Sequence, residues 1–136
     1  MSNTEQTLSI IKPDAVERNL DNEIKQMFIK NGFNIFKEKK IQIEKSEAEK
    51  FYKVHETKPF YSDLCSYLSS GPIFVMILEG ENAVLKNREL MGSTDPKNAS
   101  ENTIRKLYGI SIDKNSVHGS DSPDNAKKEI NFFFKS

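Results

Sequence analysis

The spacing of apolar residues divides the first third of the chain into strands and a helix. Residues 7–11 alternate polar and apolar side chains, which predicts a strand, and Asp14, just beyond Pro13, is placed to cap the next element. Apolar residues of odd number between 33 and 43 predict a long, half-exposed second strand. Between these strands, one helical face and its stop signal are formed by Leu20, Ile24, Met27, Phe28 and the pair Asn31-Gly32.

The middle of the chain predicts two helices and a buried strand. A capping-box pattern over Ser46–Glu49 opens a helix that runs through His55, and a second helical stretch begins at Pro59. Residues 73–78 are continuously apolar, which is typical of a short strand buried on both faces. This strand is therefore expected near the centre of the sheet.

A long loop follows the next helix. A turn over Glu79–Glu81 precedes a predicted helix at 83–91, which Asn82 caps and Gly92 ends. Residues 93–102 have no apolar periodicity, and this loop is longer than the usual ~4–6 residues of a connection. A loop of this length usually has a function.

The last third of the chain predicts a short helix over 103–108, an edge strand over 116–118 and a helix from Ser122-Pro123 to Ile130. Strands alternate with helices, but the chain is too short for a wide doubly wound sheet. The predicted fold class is therefore an α/β sandwich with helices packed on a small sheet, formed by one domain over 1–136.

Composition excludes several classes of protein. Lys and Arg together number 20, as do Asp and Glu, so no net charge would recruit nucleic acid or an anionic membrane. Cys65 is the single cysteine, which excludes an internal disulfide and a multi-cysteine zinc site. Residues 1–7 do not resemble a signal peptide, and no apolar run approaches the ~20 residues of a membrane helix. We therefore expect a cytoplasmic protein.

No glycine-rich phosphate loop occurs in the sequence, so side chains would have to hold any nucleotide. Arg donates two parallel hydrogen bonds to a phosphate, and Lys acts as a point charge. Candidates occur at a strand end, on a helix rim, in the long loop and on the short helix: Lys12, Arg88, Thr94 and Arg105. Each of them alone is more often an ordinary solvated surface residue, and their spacing does not establish that they converge.

His118 has the most informative surroundings. It precedes Gly119 and a capped helix, and a helix N-terminus favours an anion through its free N–H groups and its dipole. Imidazole is also a competent nucleophile near neutral pH. Glu129, two turns along that helix, could reach back and orient the ring. The alternative is that His118 is a loop histidine with one structural hydrogen bond. The other histidine, His55, is interpreted as structural.

Three other residues and one aromatic run can be interpreted as functional or as structural. Phe60 could stack on a base, although core packing is the more common role of an isolated Phe. Asn115 could bind a sugar hydroxyl or stabilise a turn. Cys65 is interpreted as a small core residue rather than a reactive thiol, and the run Phe132–Phe134 as part of the core or of a subunit contact.

The residues around His118 belong to a longer pattern. Residues 115–121 read N-S-V-H-G-S-D, and residues 9–16 read S-I-I-K-P-D-A-V. Together with segments at 51–61, 70–72, 78–83 and 90–96, they resemble the motifs of nucleoside diphosphate kinases, whose signature is N-x-x-H-G-S-D. The resemblance extends from about residue 7 to about residue 134, and it is to the short bacterial form.

This resemblance implies a ferredoxin-like fold, with a small antiparallel sheet covered by helices. It also implies ping-pong transfer of the γ-phosphoryl group of a nucleoside triphosphate, typically ATP, to a nucleoside diphosphate with any base. ATP, GTP and deoxynucleotides would be substrates. Mg²⁺ would bridge the phosphates without direct protein ligands, and the protein would assemble as a homotetramer or homohexamer, without binding nucleic acid or membrane.

Carried over by position, the resemblance implies a role for each site residue. His118 would be the phosphorylated nucleophile, oriented by Glu129 and Ser120, while Lys12 and Tyr52 would lie against the transferring phosphoryl group. The distal phosphates would be held by Arg88, Thr94 and Arg105. The base would lie between Phe60, Leu64 and Ile112, and the sugar hydroxyls would contact Asn115 and Lys12.

The sequence departs from the family pattern in two turns. Residues 18–23 stand where a glycine-containing turn is usual, and Glu101-Asn102-Thr103 replaces the usual Gly-Thr or Pro-Gly before Arg105. The second departure lies in the nucleotide-facing loop, where it is expected to affect loop stability or subunit contacts. Neither departure changes a residue with an implied catalytic role.

Two other classes of protein compete with a kinase. A nucleotide-binding homologue without catalysis would have lost one of the implied site residues, and none is lost. A DNA-binding module on the same fold would need a basic stripe with interleaved aromatic residues, and the balanced charge argues against it.

Overall fold

A computed structural model describes residues 4–112 and 114–134 of the chain. Within these residues the sheet has four antiparallel strands, in the order β2-β3-β1-β4. Their bounds are Thr4–Ile11 (β1), Asn34–Ile41 (β2), Ile73–Glu81 (β3) and Val117–Gly119 (β4). This order, with helices between the strands, is that of a ferredoxin-like α/β sandwich, which confirms the predicted fold class.

Seven α-helices connect and cover the strands in the described part of the chain. Their bounds are Pro13–Glu17 (α1), Asp21–Lys30 (α2), Lys45–Phe51 (α3), Tyr61–Leu68 (α4), Ala83–Met91 (α5), Ile104–Tyr108 (α6) and Pro123–Phe133 (α7). Short 3₁₀ turns lie at Lys53–His55 and Pro96–Asn98. Across residues 4–112 and 114–134, no helix combines the length and the apolar character that crossing a bilayer requires.

Two hydrophobic cores lie on opposite faces of the sheet, because successive residues of a strand point to opposite sides. Met76 and Leu78 of β3 pack with Phe28 on one face. Ile73 and Val75 of the same strand pack with Leu68 on the other face. The continuous apolar run in β3 is therefore buried on both sides, as predicted.

The predicted alternation of β2 is wrong in one respect. Its odd-numbered residues were expected on a single face, but a register shift between Ile35 and Lys37 interrupts the pairing with β3. Ile35 consequently packs in one core and Ile41 in the other. Phe36, inside the bulge, is half exposed. A period-two pattern does not reveal an inserted residue, because each side of the bulge keeps its own alternation.

Two predicted helix caps are also wrong. Lys12, not Asp14, occupies the N-cap position of α1, and the Asp14 carboxylate is buried against other partners. The capping box of α3 is formed by Glu44 and Glu47 rather than by Ser46–Glu49. The helix begins earlier than predicted because Glu44 has the extended backbone that an N-cap residue requires.

The start of α5 differs from its prediction as well. Residues 79–81 continue β3, because they pair with the first residues of β1, so they do not form a turn. Asn82 has left-handed backbone and makes no side-chain cap. The N–H of Val84 instead donates to Oε1 of Glu5 at 2.9 Å.

Asparagine stands at a left-handed position in both turns that depart from the family pattern. The φ angle is +60° at Asn19 and +69° at Asn102. Asn adopts this conformation more readily than any other residue type except Gly, because its short side chain can hydrogen-bond locally. The two turns therefore keep a residue suited to left-handed backbone without using glycine.

Candidate active site

His118 lies on the edge strand β4, opposite Ile10 of β1. Its Nε2 atom is 3.1 Å from Oε1 of Glu129 on α7. The hydroxyl of Ser120 donates to the same carboxylate oxygen at 2.7 Å. The structure therefore brings together His118 and the two residues that were expected to orient it.

The start of α7 fixes the position of Glu129. The Ser122 hydroxyl accepts a hydrogen bond from the N–H of Asn125 at 3.1 Å, and Pro123 occupies the first turn, as predicted. The helix then runs back along the sheet, so that a side chain two turns from its start reaches β4. Local capping of α7 thus determines a contact in the site.

His118 and Glu129 face a cavity of about 440 Å³. Two aromatic rings form one side of it, with centroids 5.2 Å (Phe51) and 6.3 Å (Tyr52) from the imidazole centroid. Burial, reinforced by the negative charge of Glu129, raises the pKa of Tyr52, so its hydroxyl stays protonated and remains a hydrogen-bond donor. The cationic side chains on the lining are Lys50, Lys53 and Lys128.

His55 lines the same cavity, although sequence analysis interpreted it as structural. Its ring centroid lies 6.2 Å from that of Tyr52 and 6.0 Å from that of Phe60. The helix was expected to continue through His55, but α3 ends at Phe51 and a 3₁₀ turn follows. The sequence contains no signal for that change of helix type, so the placement of His55 could not be derived from its spacing.

Three of the four candidate phosphate ligands line a second cavity, of about 650 Å³: Arg88, Thr94 and Arg105. The two cavities are neighbours, because Nη1 of Arg88 donates to the backbone oxygen of Asp121 at 3.3 Å and Asp121 lines the cavity of His118. The fold thus brings together cations that the sequence alone did not show to converge.

Arg105 is not an ordinary solvated surface residue, since its exposed fraction is only 9%. Its Nη1 and Nη2 groups donate to the backbone oxygens of Gly92 and Val117, at 3.0 and 2.9 Å. Burial, and then the positive charge of Arg88, lowers the pKa of Arg105 to about 10. The guanidinium therefore keeps its charge at neutral pH while it connects the end of α5 to β4.

Lys12 and Asn115 are both buried and contact each other. Nζ of Lys12 donates to Oδ1 of Asn115 at 3.0 Å, and Nδ2 of Asn115 donates to the backbone oxygen of Thr94 at 3.1 Å. These bonds connect the end of β1, the segment before β4 and the long loop. The amide of Asn115 is the link between them.

The three residues implied to hold a base differ in exposure. Phe60 is 46% exposed at the start of α4, so core packing does not explain it. Leu64 lies one turn further along α4 and packs partly against a hydrophobic core. Ile112 is 54% exposed in the segment before β4.

Within 4–112 and 114–134, no group of three or more His, Cys, Asp and Glu side chains is arranged to hold a metal ion. Three lysines and two carboxylates line the cavity of His118, and lysine side chains bind phosphate oxygens rather than a metal cation.

The sequence of this chain is similar to those of known proteins. A sequence model described as nucleoside diphosphate kinase matches residues 5–136. The chain belongs to the nucleoside diphosphate kinase family. Among relatives, the nucleoside diphosphate kinase of a Nitratiruptor species is 59% identical over 130 residues, which cover 96% of this chain and 95% of that protein. That of Wolinella succinogenes is 56% identical over 130 residues, covering 96% and 95%.

Solved nucleoside diphosphate kinase structures have the same fold. The Aquifex aeolicus enzyme superposes with a TM-score of 0.96 at 40% sequence identity, covering 98% of this chain and 96% of that one. The apo enzyme of Encephalitozoon cuniculi gives a TM-score of 0.94 at 37% identity, covering 97% and 90%. As a nucleoside diphosphate kinase, the protein is an enzyme that transfers phosphoryl groups between nucleotides.

Proposed function

We propose that this enzyme carries a phosphoryl group on Nδ1 of His118 between two nucleotides that bind in turn. Nδ1 attacks the γ-phosphorus of a nucleoside triphosphate, the bond from that phosphorus to the β,γ-bridging oxygen breaks, and the diphosphate leaves. A terminal oxygen of a second nucleoside diphosphate then attacks the same phosphorus, and the N–P bond breaks. The imidazole is regenerated and a new triphosphate leaves.

The observation that carries this proposal is the contact between Nε2 of His118 and Oε1 of Glu129, at 3.1 Å. A carboxylate accepts, so it favours the tautomer in which Nε2 holds the proton and Nδ1 has the lone pair. The Ser120 hydroxyl, at 2.7 Å from the same oxygen, fixes the carboxylate in turn. An activated nucleophile generally contacts a side chain that orients it, and a third group holds that side chain in turn. His118, Glu129 and Ser120 fit this arrangement.

Charge neutralisation would come from the surrounding donors. Phosphoryl transfer needs little covalent chemistry from the protein, so positioning and electrostatic stabilisation dominate. Tyr52, a protonated donor, and Lys12 would act on the transferring group. The side chains that would hold the distal phosphates are Arg88, Thr94 and Arg105, which share one cavity.

The base and the sugar would be held by few hydrogen bonds. Phe60 is exposed enough to stack on any base, with Leu64 and Ile112 as further apolar contacts. Stacking discriminates weakly between bases, whereas hydrogen-bond readout discriminates strongly, which supports the use of ATP, GTP and deoxynucleotides alike. Asn115 and Lys12 would contact the sugar hydroxyls.

Mg²⁺ would enter with the nucleotide. The ion retains several waters and is commonly bound through substrate phosphates rather than by an all-protein site. The donor set fits this arrangement, because Arg88 and Arg105 occupy the phosphate cavity and would leave the metal to the phosphate oxygens. When bound, Mg²⁺ supplies further neutralisation of phosphate charge.

The remaining elements of the proposal concern the whole molecule. We propose one domain over 1–136, a homotetramer or homohexamer, and a cytoplasmic location. The two cores share a single sheet, which supports one domain. The single cysteine, Cys65, is buried and makes no disulfide, which suits a reducing compartment.

Trapping of the phosphoenzyme tests the proposal. The sequence has two histidines, so His118→Ala and the matched variant His55→Ala distinguish the rings that could carry the phosphoryl group. The enzyme is mixed with ATP, quenched in base and analysed by mass spectrometry. We expect an acid-labile phosphoryl adduct in wild type and in His55→Ala, and none in His118→Ala, which should also lose turnover of ATP with dTDP. An adduct of equal amount in His118→Ala would refute the proposal.

A further inference from the structure

Ser116 has a backbone conformation that is unfavourable for its residue type. Its φ angle is +75°, and the residue is fully buried. The N–H of Val117 donates to the backbone oxygen of Asn115 at 2.9 Å, so Ser116 is the central residue of a left-handed γ-turn. Such turns are rare and strained in L-residues, and they persist only where neighbouring contacts hold them.

This turn separates two residues of the site. Asn115, directly before it, holds Nζ of Lys12 and the backbone of Thr94. His118 follows two residues after it, but it is held separately by the pairing of β4 with β1 and by Glu129. The orientation of the Asn115 side chain therefore depends strongly on the turn, whereas the orientation of the His118 ring depends on it less.

The contacts that hold the turn come from α1 and its flanks. The Ser116 hydroxyl donates to Oδ2 of Asp14 at 2.8 Å. Nη2 of Arg18 donates to the same Asp14 oxygen at 3.0 Å and to the Ser116 hydroxyl at 3.3 Å. The hydroxyl of Tyr67 donates to Oδ1 of Asp14. The N–H of Lys12 also donates to the backbone oxygen of Ser116 at 2.8 Å.

Asp14 is the centre of this cluster. Its side chain is almost completely buried, with an exposed fraction of 3%, and both carboxylate oxygens accept hydrogen bonds. Burial of a carboxylate is costly unless it is paired and hydrogen-bonded. Loss of any hydrogen bond to Asp14 would therefore destabilise the folded state. In the described part of the chain, neither cavity of the active site is lined by Asp14, Arg18, Tyr67 or Ser116.

We propose that these four residues, the Asp14 cluster, act as positioning residues that hold the Ser116 turn and thereby aim the Asn115 amide at the nucleotide sugar. The inference rests on the proposed function, because Asn115 is one of the residues implied to bind the sugar hydroxyls. The cluster does not touch the phosphoryl group. It serves the enzyme by fixing the amide to which the sugar binds.

Transfer from the phosphoenzyme to two acceptors tests the inference. Phosphorylated enzyme is mixed with dTDP, which has a 3′-hydroxyl, or with 2′,3′-dideoxy-TDP, which has none, and the second-order rate constant is measured. For Asp14→Asn and Ser116→Ala we expect a loss of about tenfold with dTDP and less than about twofold with the dideoxy acceptor. Equal losses with both acceptors, or no loss with dTDP, would overturn the inference.

A second measurement separates positioning from general damage. In an Asn115→Ala background, the further change Asp14→Asn is expected to cost nothing more with dTDP, because the amide that it positions is gone. Independent, multiplicative losses would contradict the inference. The matched control is Glu17→Gln, which removes an exposed carboxylate from the same helix and should leave both rates unchanged.

Ser116→Gly keeps the test decisive if Asp14→Asn does not fold. Glycine accepts a φ of +75° without strain but also populates many other backbone conformations, so this variant removes the hydroxyl that holds the turn without adding strain. We expect it to fold and to show the same selective loss with dTDP. Phosphoenzyme formation by wild type is measured first: its failure overturns the proposed function, whereas an unselective loss in the variants overturns only the role of the Asp14 cluster.

Discussion

Nε2 of His118 lies 3.1 Å from Oε1 of Glu129, although the first residue belongs to an edge strand and the second to the last helix. The contact engages one ring nitrogen, which leaves the lone pair of the other nitrogen outside this hydrogen bond. In the proposed mechanism, this contact selects the nitrogen that reacts by hydrogen-bonding the opposite side of the ring.

Replacement of Glu129 by Gln tests this relationship. The amide keeps the shape of the side chain but loses the charge, and it can support either tautomer of His118. Because hydrogen bonds to charged groups contribute ~1.5–3 kcal/mol, we expect the rate of His118 phosphorylation by ATP to fall about 10- to 100-fold. Rapid-quench kinetics measure it. Glu23→Gln, at an exposed position on α2, is the control, and a Glu129→Gln rate equal to that of the control would contradict the role of the charge.

Phe60→Ala tests the stacking surface. The ring is 46% exposed, so its removal should leave the core intact and remove one face of the base site. We expect the dissociation constant of a nucleoside diphosphate to rise about tenfold or more, with a smaller effect on phosphoryl transfer from bound nucleotide. Equilibrium binding and single-turnover rates distinguish the two effects. Leu85→Ala, on the exposed side of α5, is the control, and an equal loss in the single-turnover rate would argue against stacking.

Gly119→Ala tests the close packing behind the nucleophile. A Cβ atom at this position would lie 2.5 Å from Nδ2 of Asn87 and 2.7 Å from Cε of Met91, so these two side chains of α5, or β4 itself, must shift. We expect a loss of about 1–3 kcal/mol in the free energy of unfolding, together with reduced turnover, because the shift displaces His118. Gly71→Ala is the matched control, since the nearest atom to its Cβ would be 3.7 Å away. Urea denaturation showing equal stability for both variants would contradict the prediction.

Substitution of Asn102 tests whether the left-handed backbone at this position explains why Glu101-Asn102-Thr103 replaces the usual glycine-containing sequence in the long loop. Ala tolerates a φ of +69° poorly, so Asn102→Ala should reduce the free energy of unfolding by about 1 kcal/mol. Asn102→Gly should change it by less than about 0.5 kcal/mol, because glycine adopts this conformation freely and loses only some entropy on folding. Thermal unfolding of the pair checks this expectation, and equal destabilisation by Ala and Gly would indicate that side-chain contacts matter instead.

The sequence predicts the elements of the fold better than it predicts their ends. The run at 73–78 identifies the doubly buried β3, since such a run has few other uses in a short strand. The cap of α3 at Glu44 was missed because Ser46 offers an equally good local pattern two residues later. The bulge at Phe36 was missed because it shifts the register of a strand pair, which is a property of two segments rather than of one.

Some contacts of the candidate site could be predicted from the sequence, and others could not. His118 and Glu129 could be paired from sequence because a capped helix of known periodicity separates them. Arg88 and Arg105 could not be paired from sequence, because they line one cavity only when α5 and α6 pack around the long loop. The exposure of Phe60 also escaped prediction, because the position of one aromatic side chain at a helix start follows from tertiary contacts rather than from spacing.

The hydrogen bond from Lys12 to Asn115 joins positions that are 103 residues apart. Contacts between such distant segments are slow to form, because the entropy of closing the intervening chain has to be overcome before they contribute. A polypeptide still emerging from the ribosome can contain β1, β2 and β3 before Asn115 and His118 have been added to the chain. The contacts that join the two ends of the candidate site therefore require nearly the whole chain to have been synthesised.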